Sequence, residues 1–266
     1  MRIAGVLVAA AVAVLALYAC WIEPSSIRVN AYDVPAPRAL KGLRIAVISD
    51  LHAGTPYIDT AKIDRIVAMT NDARPDLILL AGDYAVGKTW GARRLPIETI
   101  TAHLKPLHAR LGVYAVLGNH DTRRASQFVS AFTAVKIPVL RNRHVILPGG
   151  IVLAGIDDYY TDADPALALS GVTRDAICLA HAPDQFPKLP PACTLTIAGH
   201  THGGQVWLPL LGRPAVARVA SRYGQRYAIG VVRENGKTLF VSPGIGTSGF
   251  PVRFAVPPEI SLLTLQ

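Results

Sequence analysis

Leu43-Arg44-Ile45-Ala46-Val47-Ile48-Ser49-Asp50-Leu51-His52 is the stretch from which the fold can be read. A short, nearly continuous apolar run fits a strand buried on both faces, as in a parallel sheet covered by helices. It ends in an aspartate and a histidine that no core requires. The same figure recurs four times downstream. Leu80-Ala81 precedes Gly82-Asp83, Val116-Leu117 precedes Gly118-Asn119-His120-Asp121, Leu179-Ala180 precedes His181, and Ile197-Ala198 precedes Gly199-His200-Thr201-His202. In open α/β sheets, ligands gather beyond the carboxyl ends of strands. Five such ends on one rim would therefore form one polar cluster. The motifs hold five of the eight histidines, which leaves His103, His108 and His144 as surface or helix residues.

Working outward from that rim, apolar spacing of three and four predicts helices over 60–71 (Ile63, Ile66, Val67), 97–110 and 126–135, with Pro106 bending or breaking the second. Strands are expected over 43–49, 76–81, 112–117, 137–140, 150–156, 175–180, 193–198, 227–233, 238–241 and 259–265, with a short helical piece near 184–188. Alternation of strand and helix early, and more strands late, argues for an α/β layered domain with two sheets face to face. The domain is expected over 43–266, after a linker over 23–42 that carries one edge strand at 26–34.

Asp carboxylate, Asn carbonyl and His nitrogen are hard-to-borderline donors, and no thiolate joins them. Such a set suits manganese, iron, cobalt or zinc in an open site rather than a closed structural zinc. Glycines at 82, 118 and 199 would let the backbone turn off each strand and approach closely. A two-metal site can activate water and clamp a phosphoryl oxygen. Each motif alone has a plainer explanation. Asp50 could be a cap, Gly82-Asp83 and Gly118-Asn119-His120-Asp121 could be ordinary turns, and His181 a satisfied strand-end histidine. The ordered set of five is what argues for a metal centre.

Apolar residues make up 51% of the 266 and charged residues 17%, which excludes a disordered chain and permits a sizeable core. Lys plus Arg number 27 against 18 Asp plus Glu, a formal charge of +9, favouring anionic partners. The basic residues are dispersed, so a nucleic-acid tail is not expected. No feature sets an oligomeric state. The three cysteines have no CxxC or zinc-ribbon spacing; Cys178 and Cys193 read first as buried thiols, with a bridge between them left to geometry.

Residues 3–22 are uninterruptedly apolar, and a helix of that length would rise about 30 Å, enough to cross a bilayer core. Tyr18 and Trp21 stand where an aromatic belt would. The first reading of residues 1–22 is an uncleaved single-pass anchor; the second makes Leu17-Tyr18-Ala19-Cys20 a lipoprotein box with Cys20 acylated, although Tyr18 is large for it. Arg2 on the N-terminal side favours a cytoplasmic N-terminus, which would put the domain on the outer, periplasmic face of a bacterial inner membrane.

Asp50 and His52, Asp83, Asn119-His120-Asp121, His181, and His200 with His202, in this order over residues 43–203, resemble the calcineurin-like metallophosphoesterases. The resemblance implies a four-layer α/β/β/α sandwich with two facing mixed sheets. It implies two divalent ions, manganese first, with zinc, iron or cobalt as alternatives. One ion would be held by Asp50, His52, Asp83 and His202, the other by the shared Asp83 with Asn119, His181 and His200. His120 would sit by the scissile ester to stabilise the transition state or protonate the leaving oxygen, and Asp121 would hold its tautomer by a hydrogen bond. Attack would come from a hydroxide between the ions.

Trp21-Ile22-Glu23-Pro24, the Gly199-His200-Thr201-His202-Gly203-Gly204-Gln205 loop and Ser242-Pro243-Gly244-Ile245-Gly246 resemble, more narrowly, membrane-anchored bacterial phosphodiesterases of the YkuE and YaeI type. Some relatives of that type split the diphosphate of UDP-2,3-diacylglucosamine. The resemblance thus implies a lipid-linked or cell-envelope phosphoester, with a soluble nucleotide or phosphoprotein, or a non-catalytic scaffold, as alternatives. Arg123 and Arg124 could meet a second phosphate or simply start an exposed helix. Arg253 could reach the rim, and Gln205 could contact substrate or support its loop.

Overall fold

A computed structural model describes residues 2–87, 89–214 and 221–266; Met1, the first residue of the expected anchor, lies outside them. Two mixed sheets face one another. The first runs in the order β1 (Arg28–Val34), β11 (Glu259–Leu265), β2 (Arg44–Ile48), β3 (Leu77–Leu80), β4 (Val113–Ala115). Strands β2, β3 and β4 are parallel, β11 is antiparallel to β2, and β1 runs parallel to β11. The second runs β5 (Arg143–Leu147), β6 (Ile151–Ile156), β7 (Ala176–Ala180), β8 (Cys193–Ala198), β10 (Lys237–Val241), β9 (Gly230–Glu234), parallel from β6 to β10 with an antiparallel strand at each edge.

Side chains alternate faces along a strand, and the layers follow. Ile45, Val47, Leu77 and Leu79 meet Leu153, Ile177, Leu179, Ile197 and Phe240 between the sheets. Ala46, Ile48, Ile78 and Leu80 instead face α3 (Thr60–Asp72), α4 (Ile97–Leu104) and α5 (Ala125–Ala134), through Ile63, Ile66, Ile100, Leu104, Phe128 and Phe132. Asp59 caps α3, its carboxylate accepting from the Lys62 N–H at 2.8 Å. The fourth layer is thin. Among the described residues, the four-residue helix α6 (Pro165–Ala168) and 3-10 turns over Pro183–Lys188 and Gly224–Tyr227 lie against the second sheet's outer face.

Several expectations need correction. Helix α4 stops at Leu104 rather than running to residue 110, because Pro106 has no N–H to continue the helical ladder and its ring clashes with the preceding turn. Residues 137–140 form no strand but a single bridge, Val139 to Ala115, since Pro138 cannot donate to a ladder. Edge strand β5 was not anticipated; its exposed, charged start hides the apolar alternation. The first sheet begins before the expected boundary at residue 43, because β1 pairs with β11 along its whole length. Cys178 and Cys193 are bonded, with Cα atoms 5.5 Å apart, rather than buried thiols. They lie on the neighbouring strands β7 and β8, and both pack in the cluster on the sheet's outer face.

At the N-terminus α1 (Arg2–Leu17) passes into a π-wound turn over Tyr18–Ile22 and a last helical turn, α2 (Glu23–Ser25). Residues Ile3–Ser25 form one helix with mean hydropathy 2.6, none of it buried in its most apolar window, long and apolar enough to cross a membrane.

Candidate metal centre

The carboxyl ends of β2, β3 and β4 abut those of β7 and β8, and all five motifs converge there. The approach is close enough to demand glycine. A Cβ on Gly118 would lie 2.1 Å from Asp83 Oδ1, and one on Gly199 would lie 1.8 Å from Ser49 Oγ. Asp50, His52, Asp83, His200 and His202 all have φ between 43° and 70°. Left-handed backbone at five non-glycine residues is costly, and its concentration here fits a functional site held by its surroundings.

Asp83 lies at the middle. Its Oδ1 accepts the His120 N–H at 2.9 Å. Its Oδ2 stands 3.3 Å from His181 Nε2, 3.6 Å from His52 Nε2 and 3.9 Å from His120 Nε2. On one side, His52 Nε2 is 3.1 Å from His202 Nε2, which is 3.4 Å from Asp50 Oδ1. On the other, His181 Nε2 is 3.1 Å from His200 Nδ1 and 3.2 Å from Asn119 Oδ1. Asp50, His52 and His202 form one cluster of potential ligand atoms, and Asp83, His181 and His200 another.

The surroundings aim these atoms. Asp50 Oδ2 accepts from Ser49 Oγ at 2.5 Å and the His200 N–H at 3.0 Å, while its buried Oδ1 has no hydrogen-bond partner. His181 Nδ1 donates to the Ala81 carbonyl at 2.8 Å, which fixes the tautomer and leaves Nε2 as a lone-pair donor. Burial drives His202 down to about 3 and His200 to about 4, so both rings are neutral, the form that binds cations. Burial opposes a proton on His181, but Asp83, joined by Asp50 and the Ala81 carbonyl, outweighs it and raises that ring to about 10. An ion held by Nε2 would therefore displace a proton from it.

These residues fit divalent ions. A ring proton serves one close contact, whereas a cation at about 2.0–2.2 Å from each donor serves a whole cluster. The orphaned Asp50 oxygen and the paired imidazole nitrogens supply such donors without a thiolate, the set suited to manganese, iron, cobalt or zinc.

His120 stands at the mouth, its side chain 30% exposed, beside a cleft of about 620 Å³ walled by Gln205, Val206, Phe250 and Val252. Asp121 does not orient it. The Asp121 carboxylate accepts from the backbone N–H groups of Gly118 (3.0 Å), Asp83 (2.7 Å) and Tyr84 (3.1 Å), and so clamps two of the ligand loops. Arg253 does not reach the rim either. It is fully buried and donates to the carbonyls of Pro243, Gly244, Gly246 and Val256. Gln205 lines the cleft while bonding Phe250 O, Val252 O and the Ser248 N–H, so it supports the loop. Arg123 is exposed, Arg124 lies over the Phe128 ring, and neither lines the cleft.

Two neighbours escaped the sequence reading. Asp158 is buried with Oδ1 unpartnered, and burial raises its pKa, although His181 acts to lower it. It follows the apolar run Leu153-Ala154-Gly155-Ile156, so the strand-end rule that found the other five motifs would have found it. Gly87 lies against His120; a Cβ there would stand 2.2 Å from His120 Nδ1. No local signal marks it.

The sequence pattern of the calcineurin-like phosphoesterase family matches residues 43–220. A transmembrane protein with a metallophosphoesterase domain from Danio rerio is 31% identical, over 96% of this chain and 61% of its own length. The Bacillus subtilis metallophosphoesterase YkuE is 28% identical over 94% of this chain and 89% of its own, and the Escherichia coli phosphodiesterase YaeI 27% identical over 84% and 82%. This chain thus spans most of the two bacterial relatives but less than two thirds of the animal one. With the family's pattern over two thirds of its length, the chain belongs to the calcineurin-like phosphoesterases.

Proposed function

We propose that the protein is a metal-dependent phosphodiesterase or pyrophosphatase, tethered to a membrane and acting on a lipid-linked or cell-envelope phosphoester. The observation that carries this reading is Asp83 Oδ2, set between two His-Asp clusters with His120 left over at the cleft mouth. Asp50, His52, Asp83 and His202 would hold one ion, and Asp83, Asn119, His181 and His200 the other. Bound there, manganese or a similar ion supplies an activated water and a charge clamp for a phosphoryl oxygen. His120, partly open to the cleft, is placed to stabilise charge on the phosphoryl group or give a proton to the leaving oxygen. Asp121 keeps Asp83 and Gly118 in place for that geometry.

The apolar helix and the largely apolar cleft wall support a membrane-borne substrate. The Cys178–Cys193 bridge supports a domain on the oxidising, outer side of the membrane. The test is turnover of bis-p-nitrophenyl phosphate against the monoester, with and without Mn²⁺. Metal-stimulated diester hydrolysis is expected, and none with either compound would overturn the enzyme reading. His120→Ala should lower kcat by about 10²–10⁴-fold with Mn²⁺ binding by calorimetry retained. Mass spectrometry of envelope lipids and lipid precursors incubated with the enzyme would show which phosphoester disappears.

A further inference from the structure

Large apolar side chains are exposed together beside the cleft. Trp90 (77% exposed), Trp207, Leu210, Leu211 and Phe250 (76% exposed) lie on three loops. The loops are laced to one another: the Trp90 N–H donates to Gly249 O at 3.0 Å, Trp207 N–H to Phe254 O at 2.9 Å, and Gln205 Nε2 to Phe250 O at 3.1 Å. Arg93 and Arg94, on the Trp90 loop, are exposed as well.

One of these loops, the one bearing Phe250, grips the end of the apolar helix. Tyr18–Ile22 is π-wound, and the Ala19 carbonyl accepts the Arg253 N–H at 3.0 Å. The Glu23 carboxylate, buried, accepts the N–H groups of Ala255 (2.9 Å) and Val256 (2.6 Å). Tyr57 Oη lies within hydrogen-bonding distance of the Cys20 carbonyl and of Pro251 O, which share its one proton, and Phe254 stands edge-on to Tyr18. Segment 250–256 is thereby fixed to the last turns of the helix, where a bilayer crossing would end. Phe250 and Val252 of that segment wall the cleft.

We infer that the loops bearing Trp90, Trp207, Leu210, Leu211 and Phe250 form a bilayer-docking surface that lays the cleft mouth against the headgroup region. The occupant is the lipid surface itself. The patch joins the anchor through segment 250–256, its tryptophans suit the membrane interface, and Arg93 and Arg94 suit anionic headgroups. An isolated apolar patch on a soluble face would carry no such argument. The inference rests on the helix spanning the membrane as proposed above, and it places a lipid phosphodiester at the height of the cleft.

Three tryptophans make the test direct. The full chain is placed in nanodiscs of phosphatidylethanolamine and phosphatidylglycerol, with or without phosphatidylcholine brominated near the top of its acyl chains. The double variant Trp90→Phe/Trp207→Phe leaves Trp21 as the sole reporter, and Trp21→Phe leaves the two loop tryptophans. Both proteins should lose emission to a comparable degree in brominated discs. Quenching of Trp21 with none of Trp90 or Trp207 would overturn the docking surface while leaving the anchor standing. Absence of quenching in both would overturn the anchor and the docking together. Loop tryptophans shielded from acrylamide but untouched by bromine would mean a protein partner instead, and would equally overturn it. None of these readouts depends on hydrolysis, so failure of the proposed activity is scored separately.

Discussion

Asp121 and Arg253 are buried charges that serve the backbone, one by accepting N–H groups and the other by donating to carbonyls. Neither role is legible locally, because the partners lie on other segments of the chain: Asp121 binds the 83–84 turn and Arg253 the 243–246 loop. Arg253→Met, close in length but without donors, should leave several buried carbonyls unpaired and cost about 3–5 kcal/mol. Urea unfolding of the full chain in detergent measures it; unchanged stability with a raised KM would return Arg253 to the substrate. Gly87→Ala tests how closely His120 must be placed. The added methyl would meet the ring at 2.2 Å, and a misplacement of this order can cost about 10²-fold in rate. The expected result is such a fall in kcat with Mn²⁺ binding unchanged, whereas wild-type turnover would mean that His120 has no fixed catalytic position. The residues of the five motifs were readable because each follows a buried strand, and all nine of Asp50, His52, Asp83, Asn119, His120, Asp121, His181, His200 and His202 do converge.

Among the elements, the central parallel strands β2, β3, β7 and β8 were legible for the reason they are stable. Burial on both faces leaves them with uninterrupted apolar runs, and the observed bounds differ from the sequence reading by a residue or so. Edge strands carry a weaker signal. Strand β5 shows one buried residue of five and was missed, while β1 was expected as an edge strand at 26–34 but within a stretch assigned to the linker. The Cys178–Cys193 bridge joins two neighbouring strands, a pairing that no periodicity encodes. It closes a loop with a sequence separation of 15, for which chain-entropy arguments give about 3 kcal/mol. Cys178→Ala/Cys193→Ala should therefore lower the unfolding free energy by about that amount, and dithiothreitol should destabilise the wild type but not the double variant. Equal sensitivity of the two proteins to reductant would show that the bridge does not form.

At the scale of the molecule, two sheets that each present only part of a ligand set become one site where their carboxyl ends abut. The first sheet brings Asp50, His52, Asp83 and Asn119; the second brings His181, His200 and His202. Ions shared across that seam would bind the folded chain and not the unfolded one, so stability should be linked to metal. At free metal 100-fold above Kd, one such site contributes about 2.7 kcal/mol. A chain of this size gains about 2–4 °C in Tm per kcal/mol, so Mn²⁺ should raise the Tm of the EDTA-treated full-length protein by about 5–10 °C for one site, and further if both fill. Asp83→Asn removes the one carboxylate common to both clusters and should abolish most of that increment; because, against its burial, the surrounding histidines hold the Asp83 carboxyl well below the usual carboxylate range, its loss should also lower the metal-free Tm. Differential scanning calorimetry at matched free Mn²⁺ distinguishes the cases. A wild-type Tm that does not respond to manganese, zinc, iron or cobalt would mean that the seam joins the sheets without holding an ion.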